Sequence, residues 1–540
     1  MRLGRGIGSA LLVVGLGLAP VVSPRAATID DARGALGFGS DASARSVRLL
    51  GLGGLTLPGD DPHNRIDLWD FALNPLGLPD ADSVSTFELR PGTSSASAVA
   101  DEASGLQRQE QAGRESRLAF EGWRRAGGVS YGAIGDVALL RLDQPFTTDL
   151  ERRTSFQEPN ATAALTGPLP YVKAGHARYS IRAFVSREVG TDEFRTFVQN
   201  ASGSYLDGNG QTIPPTNFFD PDEEHVTVVG GGLGASMRLG TWLTAGVLGD
   251  LVHREVLALN SGARYSSEVR ELQFGHRPYP VGQATLVGKV GKSFSWGWDG
   301  RLWSRQAEER WEFTVSAGIG QDPLTGRGKY AVHEERGESM RARARWVLGG
   351  LEVGGSLGTD YLRDVVNPPG AGDPTSFNTF LDQVFYRPNA DTLALPDSAA
   401  YSRSEMRAWT AAGGLAWRLG RRALVGAEYH AAQSEFTGTP RGLGPRPKVW
   451  DVRAGLEYQC TPVLAGRAGF VYRKLDRDEL TASNEQSSRT MTLGFGVRPA
   501  GATWGFDAGY ALEWWQADYG DPAQPRGNRQ NLTGQVRWTF

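Results

Sequence analysis

Long segments of this chain alternate between apolar residues and polar or small ones, and that rhythm leaves few folds open. In the last segment Leu532, Gly534, Val536, Trp538 and Phe540 share one face, and Thr533, Gln535, Arg537 and Thr539 share the other. Trp504, Phe506, Ala508, Tyr510, Leu512 and Trp514 oppose Thr503, Gly505, Asp507, Gly509, Ala511 and Glu513. The same pattern runs through Met491–Val497, Trp450–Tyr458, Trp409–Trp417 and Trp311–Ile319. Successive side chains of a strand point to opposite faces, so each segment has an apolar side and a wet side. Roughly 9–11 residues suit a tilted strand that crosses a bilayer. These properties predict an all-β fold: a transmembrane antiparallel up-and-down β-barrel with hydrocarbon outside and solvent within.

Composition agrees. The chain has 71 Gly, 15 Trp, 15 Tyr and 22 Phe against 5 Met and 1 Cys. Its mean hydropathy is −0.34, and no apolar run beyond Val22 approaches the length of a spanning helix. A barrel escapes a hydropathy scan because only every second residue faces lipid. The net charge of −3 argues against a nucleic-acid partner, which calls for a basic surface. One thiol, Cys460, precludes an intrachain disulfide, and its place at a strand end reads as a small apolar filler.

The connections alternate in length. Ala500-Gly501, Cys460-Thr461-Pro462 and Gly420-Arg421-Arg422 are short, whereas Gln516–Arg529, Leu475–Ser487, Phe436–Pro447 and about Arg363–Arg403 are long and polar. Short periplasmic turns and long extracellular loops are the asymmetry of an outer-membrane barrel. Trp514, Trp515 and Tyr519 then mark an outer aromatic girdle, and Trp538 with Phe540 an inner one. The strand count comes to about 14–16, within a range of about 14–18, with Phe294–Trp303 readable as a strand or as a wide turn.

The first residues look like a targeting segment. Met1-Arg2-Leu3-Gly4-Arg5, an apolar run from Ile7 to Val22 and small residues at Ala26 and Ala27 predict a secretory signal peptide over residues 1–27. Residues 28–83 lack strand alternation and are punctuated by Gly and Pro, ahead of a first plausible strand at Val84–Arg90. The barrel is expected over 84–540.

Two resemblances refine this picture. The terminal strand ending on Phe540 resembles the closing strand of bacterial outer-membrane barrels. That likeness implies that Val536, Trp538 and Phe540 form an insertion signal read by the barrel-assembly machinery. Leu50-Gly51-Leu52-Gly53-Gly54, Asp60-Asp61 and Asn74-Pro75-Leu76-Gly77-Leu78 resemble the outer-membrane long-chain fatty-acid transporter family. The sequence departs from the family pattern at Leu52 and Leu76, where Met and Ala are usual. The match covers only residues 50–78. It implies an N-terminal luminal hatch over residues 28–83, with Asp60, Asp61, Asn74 and Pro75 in it, and passive uptake of a hydrophobic or amphipathic small molecule.

Charge on the wet faces supplies the candidate binding residues. Arg341, Arg343 and Arg345 alternate with Met340, Ala342, Ala344 and Trp346; Arg178 and Arg182, with His176, oppose Tyr179 and Ile181. Arg453, Arg467, Arg473, Arg498 and Arg537 share the luminal parity with Glu312, Glu428, Asp451, Glu457, Asp507 and Glu513. Facing lipid, each Arg would cost roughly 2–4 kcal/mol at midplane. Either this lumen binds anionic headgroups through Arg, or the charges pair across strands and stiffen the wall. Arg407 and Arg489 carry lipid-face parity and are expected at strand ends, in the headgroup or loop region.

Other motifs point to little chemistry. Val229–Ser236 is Gly-rich, but in a strand rather than a phosphate loop. Asp207–Gly210 with Asp220, Asp222, Glu223 and Glu224 lacks the spacing of a calcium loop. His176, His253 and His430 are candidates for the lumen but lie in no nucleophile motif. No cofactor, metal or enzymatic activity is expected. The functional expectation is an outer-membrane barrel for passive uptake, embedded in lipid. The alternatives are a general or anion-preferring porin and a non-transporting scaffold of a surface or secretion complex.

Overall fold

The computed structural model describes residues 46–56, 86–100, 109–147, 150–169, 177–196, 205–206, 212–213, 222–260, 268–291, 293–315, 324–367, 402–437, 446–478, 483–518 and 526–540. A one-turn helix, α1 (Val47–Gly51), precedes a single large sheet. The sheet opens with β1 (Thr86–Ala100), β2 (Gln109–Ala126), β3 (Val129–Thr147), β4 (Leu150–Pro168) and β5 (Ala177–Thr196). A separate ribbon of β6 (Tyr205–Leu206) and β7 (Thr212–Ile213) follows. Next come β8 (Asp222–Leu239), β9 (Leu243–Asn260), β10 (Glu268–His276), β11 (Tyr279–Val290), β12 (Phe294–Val315), β13 (Leu324–Leu348) and β14 (Leu351–Asn367). The last seven are β15 (Ser402–Leu419), β16 (Ala423–Thr437), β17 (Arg446–Gln459), β18 (Leu464–Asp478), β19 (Ser483–Val497), β20 (Trp504–Asp518) and β21 (Arg526–Thr539).

Apart from β10 and β11, each strand of the sheet pairs antiparallel with the next in sequence, and β1 pairs with β21 from Thr86↔Thr539 to Val99↔Arg526. The sheet therefore closes. Both β10 and β11 pair with β9 on one side and β12 on the other, so they share one position in the wall. The break between them falls at Arg277-Pro278, and Pro280 follows; a proline has no N–H to give the ladder. The barrel thus has eighteen strand positions, the top of the expected range and above the favoured 14–16. Part of the difference lies at Phe294–Trp303, which belongs to the single long β12.

The strands also outrun the expected loops. Strand β20 continues to Asp518, β18 to Asp478 and β14 to Asn367, well into segments read as loop. Beyond the bilayer both faces of a strand are wet, so the hydrophobic alternation fades while the hydrogen-bonded ladder continues.

The two faces separate as the rhythm requires. Leu233, Leu302, Leu357, Leu493 and Leu532 on the outside are 55–68% exposed. On the inside Glu428, Asp451, Arg453, Arg467, Asp507 and Gln535 are no more than 9% exposed. Apolar outside, polar and buried inside, and closed without an edge: this is the strand solution for crossing a bilayer. Among the described residues no helix is long and apolar enough to span one.

Candidate functional site

The interior holds a segment of the chain's own N-terminal region. The Ser46 hydroxyl caps α1 by accepting from Leu49 N–H at 3.4 Å, and Gly53 and Gly54, at φ 71° and 74°, end it in the left-handed conformation. Arg48 reaches the inner wall and donates from Nε and Nη2 to the two carboxylate oxygens of Glu457, both at 2.7 Å. Arg467 donates to the same carboxylate at 2.7 Å and also pairs with Asp507 at 2.7 Å. Val47 N–H donates to Gln535 Oε1, Gly53 N–H to Thr492 Oγ1, and Thr56 N–H to Glu428 Oε1. Arg453 donates to the Gly54 carbonyl at 2.8 Å. Leu49, Leu52 and Leu55 pack with Ala416 and Leu424 of the wall.

Glycines on the luminal faces make room for this segment. A methyl group at Gly455 would come within 2.4 Å of the Leu52 carbonyl, at Gly469 within 2.2 Å of Gly53 N, and at Gly426 within 2.7 Å of Leu55. Gly426, Gly455 and Gly469 lie in register across β16, β17 and β18, and Gly494 faces Gly509 across β19 and β20. The wall is scooped where the chain lies against it.

A second luminal region lies on β5 to β13. Arg182 on β5 and Asp250 on β9 form a buried ion pair, with Arg182 Nε 2.7 Å from Asp250 Oδ1, although β8 runs between them. Gly232 is in register with both and leaves the gap they meet across; a methyl there would collide with Asp250. The Gly-rich run Val229–Ser236 is thus strand, as expected, and its glycines serve neighbouring side chains. Beside the pair, Val226, Val228, Val252, Val256, Tyr279 and Val281 form an apolar cluster on the inner face, joined by Phe184 and Trp303. The Arg305 guanidinium lies 4.7 Å from the Trp303 ring centre and 5.6 Å from that of Tyr279, and its Nε donates to Glu335 at 2.6 Å.

The candidate residues divide between these regions. Arg453 and Glu457 both hold the docked segment. Arg182 is spent on Asp250, and Arg178 lies half-buried on the same inner face. Arg341, Arg343 and Arg345 face inward on β13, as their alternation with exposed Met340 and Trp346 predicts. Arg345 pairs with Glu352 at 2.7 Å, whereas the Arg341 side chain is exposed to the lumen. Arg473 with Asp451, Arg529 with Glu513, and Arg537 with Glu88 form a cross-strand lattice, to which Arg453 adds a pair with Asp451 along its own strand. Pairing is therefore the main use of luminal charge in the described residues, consistent with the cost of leaving a buried ion alone.

Several expectations need correction. His253 points outward and exposed, between Leu251 and Glu255; His430 does face the lumen and pairs with Glu428 at 2.9 Å. Trp515 is 7% exposed and faces inward, because adjacent strand residues alternate, and only Trp514 of that pair joins the girdle. Cys460 is exposed in a short turn and fills nothing. Arg407 and Arg489 lie within β15 and β19 rather than at their tips, but face outward and exposed. Val536 and Trp538 sit on the outer face, with Trp538 5.7 Å from Phe87, and Phe540 is 76% exposed. Asp60, Asp61, Asn74, Pro75, His176, Asp207–Gly210, Asp220 and Tyr519 lie outside the described residues. Among those described, no group of His, Cys, Asp and Glu could hold a metal. The sequence reading missed Arg48, Thr492, Gln535, Tyr279 and Trp303; its one available signal was glycine recurring on polar faces of successive strands.

No family model and no curated protein matches the sequence. Solved structures that match over most of their length include the "TodX deltaS2S3 mutant monoaromatic hydrocarbon channel", at 12% identity over 92% of this chain and 99% of that one, with a TM-score of 0.37. A Pseudomonas aeruginosa FadL homologue matches at 11% identity over 91% and 98%, with a TM-score of 0.36. The ferric yersiniabactin uptake receptor FyuA from Yersinia pestis matches at 7% identity over 86% and 81%, with a TM-score of 0.42. Likenesses this distant carry nothing about cargo. The class rests on the barrel itself: a transmembrane β-barrel with a segment of its own chain seated in the lumen.

Proposed function

We propose that this barrel passes hydrophobic or amphipathic small molecules across the bacterial outer membrane without coupled energy, with residues 28–83 as its N-terminal hatch. The observation that carries the reading is the seating of residues 46–56 on the inner wall by an Arg48–Glu457–Arg467 ion network and a scooped row of glycines. A lumen that anchors part of its own chain is built to regulate passage rather than to conduct as an open bore. The apolar cluster around Tyr279 and Val281 supports the choice of cargo, because an inward apolar wall suits an alkyl chain or ring. Arg341, exposed to the lumen, supplies a donor for a carboxylate headgroup. In this reading the signal peptide is removed, Val536, Trp538 and Phe540 engage the assembly machinery, and no chemistry is performed on the cargo.

The test is the full chain in planar bilayers and in a binding assay with a labelled fatty acid. Near-zero steady conductance, together with saturable binding that disappears on deletion of residues 45–80, is the expected result. Binding that survives the deletion would overturn the hatch site. A steady anion-selective current would instead favour a porin, the reading that the Arg341, Arg343 and Arg345 stripe supports. A scaffold would show neither current nor binding and would co-purify with its partner.

A further inference from the structure

Among the described residues, seven short turns join strands at one rim of the barrel, and their charge is one-sided. Taken with adjoining residues they are 124–131, 238–244, 289–296, 348–351, 418–425, 459–464 and 498–504. Together they contain nine Lys or Arg and no Asp or Glu, in a chain with 57 of the first kind and 60 of the second. Arg124, Arg238, Lys289, Arg418, Arg421 and Arg422 are exposed. Arg421 and Arg422 lie on the turn after β15, and Arg124 faces outward near the end of β2, on the opposite side of the wall; Arg238, Lys289 and Arg418 stand at strand ends with luminal parity. Arg498, on a fifth turn, lies 3.7 Å from Asp507. At the same rim stand Tyr131, Trp242, Trp346, Trp417, Tyr458 and Trp504, each 40–53% exposed.

Amphipathic aromatic rings settle where hydrocarbon meets headgroups, so this row marks the membrane boundary. Long basic side chains beside that boundary extend into the phosphate layer, where they are attracted to an anionic surface. The distribution separates the possible occupants. A protein partner would cover one patch, whereas outward cations on opposite sides of a cylinder match the annulus of lipid that surrounds it. We propose that this rim binds the phosphate groups of anionic phospholipids in the leaflet it touches, the periplasmic one for short turns. Arg421 and Arg422, side by side on the turn after β15, make the densest contact. The ring fixes the depth at which the barrel rides in the membrane.

The test uses the full chain reconstituted in phosphatidylcholine vesicles carrying either spin-labelled phosphatidylglycerol or spin-labelled phosphatidylcholine. The motionally restricted fraction of each label gives their relative association with the barrel. The expected preference for phosphatidylglycerol is about fivefold at the rim contacts, the equivalent of about 1 kcal/mol. It should shrink in about 1 M salt, where the screening length is about 3 Å. Arg421→Gln with Arg422→Gln, both on an exposed turn, should at least halve the preference. If that variant does not fold, Arg124→Gln, at the outward-facing end of β2, serves instead. Equal association of the two lipids with the unaltered chain, or an unchanged preference in a folded variant, overturns the proposal. Capture of an acidic protein by the rim, without lipid preference, assigns it to a protein partner and overturns the proposal equally.

Discussion

The glycine floor under residues 46–56 sets up a sharp test. In Gly469→Ala the added methyl lies 2.2 Å from Gly53 N, well inside carbon–nitrogen contact distance, so the segment has to lift by about 1 Å or more. Two hydrogen bonds depend on that spot: Gly53 N–H to Thr492 Oγ1 at 3.0 Å, and the Thr492 hydroxyl to the Gly51 carbonyl at 3.1 Å. Neither survives such a shift. At about 1 kcal/mol each, their loss weakens docking by about 2 kcal/mol, which raises the undocked population roughly 30-fold. The assay is maleimide labelling of Val47→Cys, a position with 0% exposure, in a Cys460→Ser background that removes the exposed native thiol. Gly469→Ala should raise the labelling rate by about that factor while the barrel keeps its heat-modifiable mobility on gels. An unchanged rate in a folded variant would refute the seating of this segment on β16–β20.

Three further outcomes follow from the wall. Asp250→Asn leaves the buried Arg182 guanidinium without its counter-charge and should cost about 3–5 kcal/mol, read as a lower urea midpoint for unfolding from vesicles; an unaltered midpoint would show that the pair does not tie β5 to β9. Leu357→Arg, on the lipid side, should cost roughly 2–4 kcal/mol in the same assay, whereas Ser356→Arg on the luminal side should cost far less; equal effects would mean the faces are misassigned. Removing Phe540 should cut the fraction assembled in the outer membrane while leaving refolding in detergent intact; equal assembly would dismiss it as an insertion signal.

The face of each wall residue was legible in the sequence because it depends only on parity along one strand. Leu532 outside and Gln535 inside follow from a two-residue period with no knowledge of neighbours, and so do Arg341 to Arg345. Adjacent Trp514 and Trp515 show where judgement by residue type failed: both looked like girdle, and parity sent one inward. Strand ends were less legible, since above the bilayer the apolar signal that marks a strand disappears although its ladder does not. The Pro278 break hid in plain view, as a pair of prolines that read equally well as the edge of a loop.

The sequence by itself determined a closed membrane wall, because alternation over a bilayer's thickness leaves no other way to satisfy every backbone N–H and C=O in hydrocarbon. Only the tertiary structure decided what the interior does with its charges and glycines. Arg48 meets Glu457 across 409 positions, and Arg182 meets Asp250 over the gap left by Gly232 on an intervening strand. Such meetings depend on register and closure, which are properties of many strands together. A local pattern can say that a side chain faces inward, but it cannot say what waits for it there.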